Sequence, residues 1–178
     1  SLPLGAFIDD HGLALIEELL EGRPNVIVFG ATGSGKTTVV NAMIARLGPD
    51  ERLVAIEERK VWIEVGYGEW TGRSISQLRR TKLWRRVMFA PSNVRFPGGE
   101  SLLEVQGRAV DATLDIAARH ARGTVVVVSH ADVIRLLVAH VAGMHADHLQ
   151  RLSIDTASIT AVSISDGFPR LLTLNDTA

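Results

Sequence analysis

The stretch Asn25-Val26-Ile27-Val28-Phe29-Gly30-Ala31-Thr32-Gly33-Ser34-Gly35-Lys36-Thr37-Thr38 decides the reading of this chain. Its first five residues predict a short apolar strand, and residues 30–37 satisfy G-x-x-x-x-G-K-[ST] in full. From Thr38 to Leu47, the residues Val39, Val40, Met43, Ile44 and Leu47 fall at helical spacing. Strand, glycine-rich turn and helix N-terminus together predict a phosphate cradle. Gly30, Gly33 and Gly35 let backbone N–H groups curl around an anion, and Ala31, Thr32, Ser34 and Thr38 complete the loop. Lys36 supplies a point charge to the outer phosphates, and the Thr37 hydroxyl is placed for Mg²⁺. The expected ligands are ATP or GTP with Mg²⁺. No base-recognition element distinguishes the two nucleotides.

Outward from this unit, strands and helices alternate. A helix opening at Asp10 or His11 carries Leu13, Leu15, Ile16, Leu19 and Leu20 and stops at Gly22. Arg52 to Glu57 reads as a second apolar strand, and Val61 to Val65 as extended. Ser76 to Met88 reads as one helix, and Ser101 caps a long helix through Ala121. Thr124-Val125-Val126-Val127-Val128 has the continuous apolar run of a strand covered on both faces. A helix follows over Asp132 to Val141, and Ser165-Asp166-Gly167-Phe168 signals a terminal hairpin. The alternation predicts an α/β fold: a three-layer α/β/α sandwich with a mostly parallel central sheet and a C-terminal antiparallel hairpin. The P-loop strand and the valine strand should be parallel, adjacent or separated by one strand, and at the sheet centre.

Composition narrows the classes. With 178 residues and 46% hydrophobic content, one compact domain is expected. Nineteen basic and twenty acidic residues give a net charge of −1, which favours neither a nucleic-acid nor a membrane-surface partner. The absence of cysteine excludes disulfides, zinc–thiolate sites and a thiol nucleophile. No apolar run is long enough to cross a membrane, and no charged leader precedes an apolar core, so a soluble cytoplasmic protein is expected. Arg79, Arg80, Lys82, Arg85 and Arg86 read first as a solvated basic face and second as a funnel for anionic substrate, and Trp62, Trp70 and Trp84 as packing residues.

Residues 1–58 resemble the ATPases of type II and type IV secretion systems. The likeness lies in the strand and P-loop and in Pro49-Asp50-Glu51-Arg52-Leu53-Val54-Ala55-Ile56-Glu57-Glu58. It implies that Glu57 assists Mg²⁺ and that Glu58 acts on the attacking water. That family's Walker B strand finds no match, because Ser129 stands where its acid belongs.

Residues 61–178 resemble the histidine phosphatase superfamily, the phosphoglycerate mutase-like enzymes. Ile63-Glu64-Val65-Gly66-Tyr67-Gly68-Glu69-Trp70-Thr71-Gly72 is similar to the segment of its proton donor. Phe96-Pro97-Gly98-Gly99-Glu100-Ser101 matches its loop before a long helix. Val125 to Arg135 matches the strand that delivers its second histidine. The resemblance implies Glu64 as general acid and His130 as stabiliser of the transferring phosphoryl group. The family's first strand ends in Arg-His-Gly, whose His is the nucleophile. This sequence contains no Arg-His-Gly, and the Ser-Pro-Leu-x-Arg stretch is also missing. The chain therefore reads as a hybrid, a natural fusion or an engineered chimera. The first reading is nucleotide phosphate binding with slow or absent hydrolysis. A phosphomonoesterase using Glu64 and His130 is the second, and a non-catalytic scaffold that captures phosphate is the third.

Overall fold

The computed structural model describes residues 26–31, 60–120, 123–156 and 158–177. β1 spans Val26–Ala31, β2 Thr124–Ser129, β3 Ile159–Ser165 and β4 Phe168–Asp176. Among the described residues they form one sheet in the order β2-β1-β3-β4. β1 and β2 run parallel, with Val28 opposite Val126 and Ala31 opposite Ser129. β3 pairs antiparallel with β1 and with β4, so the terminal hairpin is built into the sheet. The fold is α/β, as the alternation of elements requires.

The P-loop strand is thus hydrogen-bonded directly to the valine strand. It extends two residues further than the apolar run alone predicts. Gly30 sits in the ladder opposite Val128 and Ile159, and Ala31 sits opposite Ser129. Both belong to the strand rather than to the turn. Thr32 to Thr38, Glu57 and Glu58 lie outside the described residues, as do the elements expected over Asp10–Gly22, Thr38–Leu47 and Arg52–Glu57.

Among the described residues, four α-helices lie between and beside these strands. α1 (Ile75–Leu78) and α2 (Lys82–Phe89) replace the single helix expected over Ser76 to Met88. Thr81 causes the break. Its extended backbone starts a new helix, its Oγ1 accepts from the Trp84 N–H, and its hydroxyl donates to the Leu78 carbonyl. α3 (Leu102–Arg119) begins where Ser101 predicts, through a capping box in which Ser101 and Glu104 satisfy each other's backbone N–H. α4 (Ala131–Val141) begins directly after His130.

α3 packs on α4, and the Gln106 amide donates to the Leu136 carbonyl between them. The core gathers Val105, Ala109 and Ile116 of α3 with Val133, Ile134, Leu137 and Val138 of α4 and Val125 and Val127 of β2. Asp166 and Gly167 both take positive φ, 52° and 78°, as a two-residue turn matching the strand twist demands.

Candidate active site

In an open α/β sheet, ligands gather outside the carboxyl ends of parallel strands. Here the carboxyl ends of β1 and β2 lie side by side at Ala31 and Ser129. His130 follows β2 immediately, in extended conformation as the N-cap of α4. Its Nδ1 lies 3.5 Å from Glu64 Oε2, within ion-pair reach. The two residues brought together by resemblance alone therefore meet in space.

The Glu64 segment is not a strand, and Val61 and Trp62, expected to be extended or strand-like, lie in a 3-10 turn. Lys60–Trp62 forms a turn of 3-10 helix, and the carbonyls beyond it are held by side chains rather than by a strand partner. Arg108 of α3 donates to the carbonyls of Val61, Ile63 and Glu64. It also forms a two-point pair with Glu100, at 2.9 and 3.1 Å. Glu100 in turn accepts from the Gly66 N–H at 2.8 Å. The Ser129 hydroxyl, fully buried, donates to the Trp62 carbonyl at 2.9 Å.

The loop 96–101 locks the other side of the segment. The Glu100 N–H donates to the Gly66 carbonyl, and the Glu69 N–H to the Pro97 carbonyl. Any Cβ at Gly99 would stand 2.1 Å from the Gly66 carbonyl oxygen, so only glycine allows this approach. Phe96 meets Tyr67 and Trp70 edge-on at 5.1 and 5.2 Å between ring centres, and Trp84 stacks on Trp70. The tryptophans are packing residues here, Trp62 and Trp70 being buried.

Burial is the main reason that the Glu64 carboxyl is pushed above its ordinary range; nearby Asp132 adds to this, while the Val65 N–H at Oε1 opposes it. A carboxyl held so can carry a proton to a leaving group. Asp132, in the first turn of α4, accepts from the Tyr67 hydroxyl at 2.8 Å and from Arg135 at 3.1 Å. Burial, then Asp132 and Glu64, push the Tyr67 hydroxyl far up, so it stays a neutral donor. The Arg135 Nε is buried with no hydrogen-bond partner among the described residues.

Sequence reading missed roles for Tyr67, Glu100, Arg108, Ser129, Asp132 and Arg135. Asp132 and Arg135 carried a usable signal, being charged residues in the first turns of the helix that follows His130. Arg108 carried none, since an arginine in a long helix is ordinary.

A family model for the histidine phosphatase superfamily (branch 1) matches residues 40–177. The chain belongs to that superfamily. A model for the FtsK/SpoIIIE family matches residues 4–50, so the two likenesses overlap over 40–50 instead of meeting near residue 60. Phosphoserine phosphatase 1 of Hydrogenobacter thermophilus is 28% identical over 144 residues, covering 80% of this chain and 67% of that protein. Conjugal transfer protein TrbB of Rhizobium radiobacter is 46% identical over 46 residues, 24% of this chain and only 14% of its own length. Among solved structures, Bacillus stearothermophilus YhfR superposes with a TM-score of 0.71 at 23% identity, over 92% of this chain and 80% of that one. That likeness is one of fold. It spans far more of the chain than the P-loop likeness does. No described helix is long and apolar enough to cross a membrane.

Proposed function

We propose that this chain binds and hydrolyses small phosphate monoesters at the carboxyl ends of β1 and β2, with Glu64 as general acid and His130 as a hydrogen-bond donor to the transferring phosphoryl group. The observation that carries this is the Glu64–His130 approach of 3.5 Å beside the end of the parallel ladder. Membership of the superfamily and the likeness to a phosphoserine phosphatase support it. Because Arg-His-Gly is absent, the attacking group is water rather than a histidine. Water adds to phosphorus, and the ester P–O bond breaks. Glu64 protonates the departing alkoxide, and the proton lost by water restores Glu64. His130 donates to the phosphoryl oxygens as charge builds on them. The substrate is a small phosphate-bearing molecule met in the cytoplasm, with no nucleic-acid or membrane partner.

Turnover of p-nitrophenyl phosphate tests this. Glu64→Gln and His130→Ala should each lower kcat by about 100-fold or more. No acid-labile, base-stable phosphoenzyme should be trapped. Phosphate binding by the wild type without any turnover would replace this reading by the non-catalytic one.

A second reading, nucleotide phosphate binding through residues 30–38, is favoured by the placement of β1. Ala31, the last residue of β1, is the register partner of Ser129, which directly precedes His130. Lys36 would hold the phosphates of ATP or GTP, Thr37 and Glu57 would hold Mg²⁺, and Glu58 would act on the attacking water. When bound, Mg²⁺ would neutralise phosphate charge. Of the proposed loop, only Gly30 and Ala31 lie among the described residues.

A further inference from the structure

The backbone that presents Glu64 is held carbonyl by carbonyl by two side chains from distant elements. Arg108 takes the carbonyls of Val61, Ile63 and Glu64, and Ser129 takes the intervening carbonyl of Trp62. Four successive acceptors are thus claimed by one guanidinium on α3 and one hydroxyl at the end of β2. Ser129 is the covalent neighbour of His130. Its hydroxyl therefore ties the segment of the acid to the strand end that carries its partner. Arg108 reaches the same segment from α3, and its pair with Glu100 extends the hold to the Gly66 N–H.

Among the described residues, the hydrogen bonds of both side chains to this segment go to its carbonyls, whereas the Glu64 carboxylate accepts from the Val65 N–H and is approached by His130. We infer that Ser129 and Arg108 are positioning residues that set the Glu64–His130 separation through their hold on the backbone of residues 61–64. A segment without a strand partner has no ladder to fix its height above the sheet, and these donors supply that constraint. A guanidinium suits the task because its planar fork presents several donors at fixed angles. An ammonium at the same place could not span three carbonyls and a carboxylate together.

The inference rests on the phosphomonoester reading only for its catalytic consequence. The spatial claim stands by itself, so the test has two arms. The first records the side-chain ¹⁵N spectrum of His130 at fixed pH, assigned through its loss in His130→Gln. Glu64→Gln should move the His130 Nδ1 resonance and so define the signature of the pair. Ser129→Ala and Arg108→Lys should move it towards the Glu64→Gln position. The second arm measures kcat and KM for p-nitrophenyl phosphate. Both variants should lose kcat on the order of tenfold with KM changed less than about twofold, since geometry rather than binding is disturbed.

A resonance that stays at the wild-type position in both folded variants overturns the inference, whatever turnover does. A resonance unmoved by Glu64→Gln also overturns it, because there is then no pair to position. If Arg108→Lys does not fold, Ser129→Ala decides alone. Absence of turnover in the wild type would defeat the phosphomonoester reading and leave the spectral arm to judge the positioning.

Discussion

At the scale of the residue, Glu64 has the sharpest consequence. Burial raises its carboxyl above the ordinary value near 4.5, so the folded chain holds that proton more tightly than the unfolded one. The contribution to stability is complete below the unfolded value and is lost as pH rises through the folded one. Glu64→Gln removes this penalty. Thermal melts from pH 4 to 7 should show the variant gaining on the wild type as pH rises, and a constant difference would contradict the burial argument. Lys36→Ala tests the second reading at the same scale. It should weaken Mg-ATP, Mg-GTP or phosphate binding at least tenfold, about 1.4 kcal/mol, by calorimetry. Unchanged affinity would remove the P-loop from the functional account. The basic residues Arg79, Arg80, Lys82, Arg85 and Arg86 are all exposed, as a solvated face would be.

Among the elements, the loop 96–101 matters most for the site. Gly68 has φ +54° and its virtual Cβ lies 2.2 Å from the Pro97 carbonyl, while that of Gly99 lies 2.1 Å from the Gly66 carbonyl. Two backbones are in contact there, so relief requires one to move. Gly99→Ala should destabilise the fold by about 1–3 kcal/mol, the range for overpacking, and should impair turnover more than its stability loss explains. Urea unfolding alongside p-nitrophenyl phosphate kinetics checks both parts. Local signals served well for α3 and the hairpin, because a capping box and an Asp-Gly turn are complete within a few residues. They failed for residues 76–88 and 61–65. A single threonine divided the first, and the second draws its hydrogen bonds from residues far away in sequence.

For the whole molecule, the position of β1 is decisive. It lies between β2 and β3 and is paired to both, so the P-loop strand joins the valine strand to the terminal hairpin. We expect one cooperative unfolding transition for the full chain. A fragment of residues 61–178 should not fold stably, since it would leave facing ladders of β2 and β3 without their partner. Two separate melting transitions, or a stably folded fragment, would refute this. The same position makes the hybrid structurally coherent. A strand from an ATPase-like segment fills the sheet of a histidine phosphatase fold, and its carboxyl end points to the same edge as His130.

The sequence by itself determined the periodic and punctuated features. These are the apolar strands β1 and β2, the Ser101 cap, the Asp166-Gly167 turn, and the place of His130 at the end of a buried strand. Each depends on neighbours within a few residues or on a burial pattern written along the chain. Tertiary structure alone decided that Glu64 meets His130, that Ser129 and Arg108 hold the intervening carbonyls, and that Asp132 gathers Tyr67 and Arg135. The hydrogen bonds from Arg108 and Ser129 to these carbonyls span 44 to 67 residues. Their geometry follows from how α3 and β2 pack around residues 61–66, and no local pattern encodes which carbonyl a distant donor will reach.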